Sequence, residues 1–256
     1  MTVLTLLVKA RGAGQLKLVD DLLKAEFENL DLDSKVLGTP VNRWVQVSLT
    51  GEDEVIASNY INKEIGTCPI NAGKVEKHSA LKGYITKVDF GKNELSIDVG
   101  IFEPRITLAI IPLAVLQAQL ADGKRIDLKK IATAYGLHEN LPIEVKIVET
   151  VAADEDRHLY VELSSAQIEK LNKWRQSLLD RLIVLGATSM EIDEVLQRTR
   201  LNRDVIDVER LGLFEYSLTC KLGTDAAGLI PRVGRYMRNA VFAVFSPRRI
   251  NGAWIT

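Results

Sequence analysis

Two glycines five apart, Gly223 and Gly228, precede three arginines spaced by three, Arg232, Arg235 and Arg238, in the stretch CKLGTDAAGLIPRVGRYMRNA (Cys220–Ala240). The glycine spacing is that of a phosphate loop, G-x-x-x-x-G-K-[ST], where a lysine reaches the terminal phosphates and a hydroxyl holds magnesium. Leu229 and Ile230 occupy those two places, so nucleotide hydrolysis is not expected, and without G-x-G-x-x-G neither is dinucleotide binding. A turn explains the loop: the glycines let the chain reverse after FEYSLTCKL, Asp225 can cap exposed amides, and Pro231 suits the first turn of a helix.

On that helix Val233, Tyr236, Met237, Ala240 and Val241 make an apolar face, and Arg232, Arg235 and Arg238 project about 60° apart on the other. Three guanidinium groups on one face suit a phosphate backbone, and Lys221, Arg248 and Arg249 extend the patch. Charge distribution agrees. The whole chain has a net charge of -1, yet from Leu196 onward ten basic residues face five acidic ones. A solvated helix face remains the alternative.

No catalytic constellation stands out. His78, His138 and His158 are dispersed, H-E-x-x-H and G-x-S-x-G are absent, and the acidic run Asp154–Asp156 falls in a hairpin loop where solvation accounts for it. Cys68 and Cys220 are far apart and form no C-x-x-C pair. No metal or cofactor is therefore expected. The apolar runs are too short to span a bilayer and the start lacks a signal-peptide pattern, so the expectation is a cytoplasmic protein with no membrane partner.

The elements that must position these side chains fall into three segments. Residues 1–72 give strand, helix, strand, strand, helix. TVLTLLVK (Thr2–Lys9) is a buried-strand run, Leu16, Val19, Leu22, Leu23 and Phe27 recur at helical spacing, and Val45, Val47 and Leu49 alternate with Trp44, Gln46 and Ser48. A second helix is expected over about 52–65. That order predicts a ferredoxin-like layer, in which Trp44 is a packing residue before it is a base-stacking one.

Residues 73–164 give five short strands, Gly83–Val88, Leu95–Gly100, Ile106–Ile111, Pro142–Thr150 and His158–Ser164, with a helical interval before the fourth. This is the order of an OB-type barrel. The run GYITKVDFGKNELSIDVG (Gly83–Gly100) is similar to the opening of the S1 group of RNA-binding barrels, and LPIEVKIVE with LYVELS resembles their closing strands. That resemblance implies a binding face on the second and third strands, where this chain has Leu95, Ile97 and Ile110 instead of aromatics. A different platform is expected from Tyr84, Lys87, Phe90, Lys92, Phe102 and Arg105.

Residues 165–256 form an α/β segment, making the fold class α+β overall. Ser164–Gln167 reads as a capping box opening a helix striped by Ile168, Leu171, Trp174, Leu178, Leu182 and Leu185 and ended by Gly186. Residues 190–201 are ambiguous, two strands are expected over 205–222, and VFAVF closes the unit.

The run RDVIDVERLGLFEYSLTCKLGTDAAGLIP (Arg203–Pro231), with the preceding segments, resembles a conserved archaeal family of unknown function over the whole chain. The expected function is non-enzymatic nucleic-acid binding, of RNA rather than DNA, in transcription or translation. A protein–protein adaptor on the ribosome or RNA polymerase, or an enzyme acting on a nucleotide or RNA, are the alternatives.

Overall fold

Residues 1–152 and 157–253 are described by the computed structural model. Chain contacts divide it into two units, Met1–Val75 with Gly100–Ile106, and Glu76–Val99 with the chain from Thr107 onward.

In the first unit β1 (Thr2–Lys9), α1 (Ala13–Glu26), β2 (Leu32–Gly38), β3 (Trp44–Gly51) and α2 (Glu54–Glu64) follow one another, and the strands pair antiparallel in the order β1-β3-β2. Period-two alternation puts Leu6, Val8, Val45, Val47 and Leu49 in the core, as are Val19 and Leu23 of α1 and Ala57 and Ile61 of α2. At the other edge of β1, the Leu7 amide donates to Gly66 O at 2.9 Å and the Cys68 amide donates to Thr5 O at 2.8 Å around an isolated Leu6–Thr67 bridge. The layer is therefore ferredoxin-like with its fourth strand reduced to one bridge. Trp44 is fully buried with Lys9 Nζ 4.5 Å from its ring centroid, so it packs and does not stack on bases. The short β4 (Ile70–Asn71) leads out of this layer.

The second unit opens with the barrel, made of β5 (Ala80–Asp89), β6 (Glu94–Glu103), β7 (Thr107–Pro112), β8 (Pro142–Ala152) and β9 (Arg157–Leu163). The far end of β6, from Gly100, belongs to the first unit, and within that unit β4 pairs with it in parallel at Ile70 and Ile101. Pairing runs β5-β6-β7-β9-β8 and back to β5, with β7 and β9 parallel, which is the closed OB order. Ile85, Leu95, Ile97, Val145, Ile147, Leu159 and Val161 are buried. α3 (Leu113–Leu120) and α4 (Leu128–Tyr135) lie between the third and fourth barrel strands.

α5 (Ser165–Gln176) then leads to β10 (Arg181–Leu185), α6 (Ser189–Arg198), β11 (Val205–Arg210), β12 (Glu215–Cys220), α7 (Ala226–Val233), β13 (Val241–Phe245) and α8 (Pro247–Ala253). From β10 to β13 this is a second β-α-β-β-α-β unit, with antiparallel order β11-β12-β10-β13. The expected long helix stops at Gln176, not Leu185. Leu178 takes a left-handed φ of 56°, and RLIVL becomes the interior strand β10, buried at every position. A five-residue apolar run reads alike as one side of a helix or a doubly covered strand, and burial between β12 and β13 decided it.

Two sets of helices cover this sheet. Ile192, Val195 and Leu196 of α6 and Leu229 and Val233 of α7 pack with Leu182, Val184 and Leu218. On the other face Phe245 meets Tyr135 and Trp174 edge-on at 5.8 and 5.3 Å, and α8 packs on α4 and α5.

Candidate nucleic-acid interface

The β5–β6 turn is built by one carboxylate. Asp89 Oδ1 accepts from the amides of Gly91 and Lys92 at 3.0 and 3.1 Å, and its Oδ2 accepts from Lys87 Nζ at 2.6 Å. The Lys87 ammonium, then the Lys92 amide, hold the Asp89 carboxyl below its usual range, and the same pairing raises Lys87. Asn93 turns the chain with φ 54°, and its carbonyl accepts from the Leu113 amide at 2.9 Å. Phe90, between these anchors, is 54% exposed, and Lys92 beside it is exposed. A hydrophobic ring in a braced loop, with an exposed lysine two residues on, can stack on a base and meet phosphate.

The barrel wall offers less. Leu95, Ile97 and Ile110 are buried, and the alternate positions of β6 hold Glu94, Ser96 and Asp98, so no aromatic replaces the missing platform on that strand's first half. Tyr84 corrects the expectation: it is 3% exposed and its hydroxyl donates to Glu215 Oε2 at 3.4 Å, a packing position from which no base can be reached. Phe102 is half-buried and Arg105 exposed, and both belong to the first unit, unlike Lys87, Phe90 and Lys92.

The C-terminal arginines are redistributed. Asp225 caps α7 through the Ala227 amide at 3.0 Å, as the sequence suggests, but Pro231 sits inside the helix and α7 ends at Val233. Arg235 and Arg238 therefore stand on the turn after the helix rather than on a continuous helical face. Arg232 Nη2 donates to Thr199 O at 2.9 Å and its Nη1 lies 3.5 Å from Asp204 Oδ2, so this guanidinium ties the end of α7 to the end of α6. The Lys221 amide donates to Asp204 O at 2.7 Å, placing Lys221 beside the same connection. Arg248 and Arg249 are exposed on α8, which packs with α4 and α5 across the sheet from α6 and α7. They do not extend the patch.

The tie at Arg232 brings in residues that the reading of the sequence passed over. Arg198, Arg200 and Arg203 are exposed on the α6–β11 connection, and the Arg198 guanidinium lies 5.0 Å from the Tyr236 ring centroid. The signal was present as R-T-R-L-N-R, but nothing local joins it to R-V-G-R-Y-M-R some thirty residues later. Tyr236 was assigned to the apolar helix face and is instead 48% exposed.

The DUF2110 central domain matches residues 75–175 and the DUF2110 C-terminal domain matches residues 179–245. The chain belongs to the DUF2110 family. Among curated proteins no match is found. The braced loop at Phe90 lies in the DUF2110 central domain and the arginine segments in the C-terminal one, whereas the first ferredoxin-like layer precedes both matches. Among the described residues of this DUF2110 chain, no group of three or more His, Cys, Asp or Glu side chains could hold a metal, and no helix is long and apolar enough to cross a membrane. Asp154–Asp156 lie outside the described residues.

Proposed function

We propose that this chain is a non-enzymatic RNA-binding protein serving transcription or translation, and that the OB barrel engages single-stranded RNA through its first hairpin loop. The observation that supports this reading most is the Asp89-braced turn presenting Phe90 and Lys92. In OB barrels the loop between the first two strands is one of those that contact oligonucleotides, and bases stack on aromatics there without sequence preference. Because the loop is held before binding, little ordering entropy opposes contact. The arginines of the C-terminal domain add a phosphate-binding surface. Titration of a labelled oligouridylate with the full chain tests the reading. Phe90→Ala should lower affinity about tenfold, the scale of one lost base stack; unchanged affinity removes the loop from the account.

One observation favours the adaptor reading: on α2 Val55 and Ile56 are adjacent and 66% and 56% exposed. Complexes with the ribosome or RNA polymerase that survive nuclease treatment and are lost on Ile56→Asp would support it.

A further inference from the structure

The C-terminal ferredoxin-like unit holds a second feature that can take a nucleotide. Its usual open sheet face is closed, since Trp174, Tyr135 and α8 cover the side opposite α6 and α7. The exposed chemistry lies instead where the ends of α6 and α7 meet.

We infer that Tyr236, backed by Arg198 and flanked by Arg235 and Arg238, is a stacking site for one unpaired base of single-stranded RNA, with the arginines on the adjoining phosphates. The inference rests on the RNA-binding reading above and adds a site to it. Three observations converge. Tyr236 is 48% exposed although its neighbour Met237 is buried in the core. Arg198, 62% exposed, lies 5.0 Å from the ring centroid, within the range where a planar cation and a ring attract each other. Arg232, held by Thr199 O and Asp204, fixes the two arginine-bearing segments, 198–203 and 232–238, against each other, so the ring and cations are positioned before any ligand arrives.

Charge sets the ligand's sign. The two segments bring six arginines, and among the described residues Glu194, 3.9 Å from Arg198, and Asp204 beside Arg232 are the carboxylates that pair with them. Excess cations call for an anion; the ring calls for a planar apolar partner. A single strand presents both at one nucleotide spacing, whereas a duplex hides its base faces. An acidic peptide would satisfy only the arginines.

The test uses the full chain with two probes, a labelled oligouridylate and inorganic polyphosphate, and the variants Tyr236→Ala, Tyr236→Phe and Phe90→Ala, each checked for an unchanged unfolding midpoint. Tyr236→Ala should lose about tenfold in RNA affinity, Tyr236→Phe should retain it, and polyphosphate binding should not change with either. Equal RNA affinity for Tyr236→Ala and the unaltered chain, with Phe90→Ala still impaired, overturns this site and leaves the barrel reading standing. No RNA binding by the unaltered chain overturns both.

Discussion

Arg232 donates from Nη2 to the main-chain carbonyl of Thr199 at 2.9 Å, joining the last turn of α7 to the C-terminal end of α6. The acceptor is one of the helix-end carbonyls that α6 leaves unpaired, and a cation there is also attracted by the negative end of the helix dipole. Of the three arginines that the sequence set in one row, this one serves the fold. Arg232→Ala should cost about 1 kcal/mol, the typical net worth of such a bond, whereas Arg235→Ala should leave stability unchanged and weaken RNA binding. Urea unfolding of the two variants makes the comparison, and equal destabilisation would contradict it.

Asp89 should act on RNA without touching it. Its carboxyl sits below the ordinary range because Lys87 and the Lys92 and Gly91 amides favour the anion. A depressed carboxyl stabilises the turn above the unfolded value, near 3.9, and that stabilisation is lost as pH falls through the lower folded value. The Gly91 and Lys92 amide resonances should therefore titrate with a midpoint below that of a free aspartate. Asp89→Ala should lower RNA affinity several-fold while the chain remains folded.

Glu209 holds a charged cluster under α5. Its Oε2 accepts from Trp174 Nε1 at 2.9 Å and Arg181 Nη1 at 3.2 Å, and its Oε1 pairs with Lys170 at 2.9 Å. Burial pushes the Arg181 guanidinium below its usual value, and Glu209 opposes that shift. Glu209→Ala would leave a largely buried cation without its partner. Such losses reach roughly 3–5 kcal/mol for fully buried pairs; with Glu209 one-third exposed, about 2 kcal/mol is expected. A smaller loss than in an exposed control such as Glu169→Ala would contradict the assignment.

Gly136 ends α4 in the left-handed region at φ 64°, and a Cβ there would stand 2.9 Å from Ile183 Cδ1 and 3.1 Å from Val244 O. The close approach lets the barrel's helix pack on the C-terminal sheet. Gly136→Ala should destabilise by about 2 kcal/mol, combining the left-handed cost with overpacking. A thermal midpoint matching that of Gly123→Ala, where the added atom meets nothing within 4 Å, would show the packing to be looser.

Cys220 should be inert in the folded chain. It is fully buried, and desolvation raises its thiol to about 11, so little thiolate forms near neutral pH. An alkylating reagent at pH 8 should label it only after denaturant is added; rapid labelling of the native chain would contradict the core packing.

The barrel was legible because its strands alternate and its turns announce themselves: D-F-G-K-N reads as a tight connection, and it links β5 to β6 in the structure. Tyr84 was misplaced because an aromatic on a strand looks the same whether its outer face meets water or another layer; contact with Glu215, far along the chain, settled it. The C-terminal unit hid its identity in RLIVL, where helical and strand periods coincide. The Arg198–Tyr236 pair was invisible for a different reason, since it forms only after α7 breaks at Gly234 and the turn swings Tyr236 outward.

The most direct measurement is the affinity of the full chain for single-stranded RNA across a series of salt concentrations. The account predicts binding that weakens linearly on a log–log scale, by about 0.7 per phosphate contacted, with a shallower slope for the Arg235→Ala, Arg238→Ala double variant. Absence of binding at low salt, or binding indifferent to salt and to those arginines, would contradict it.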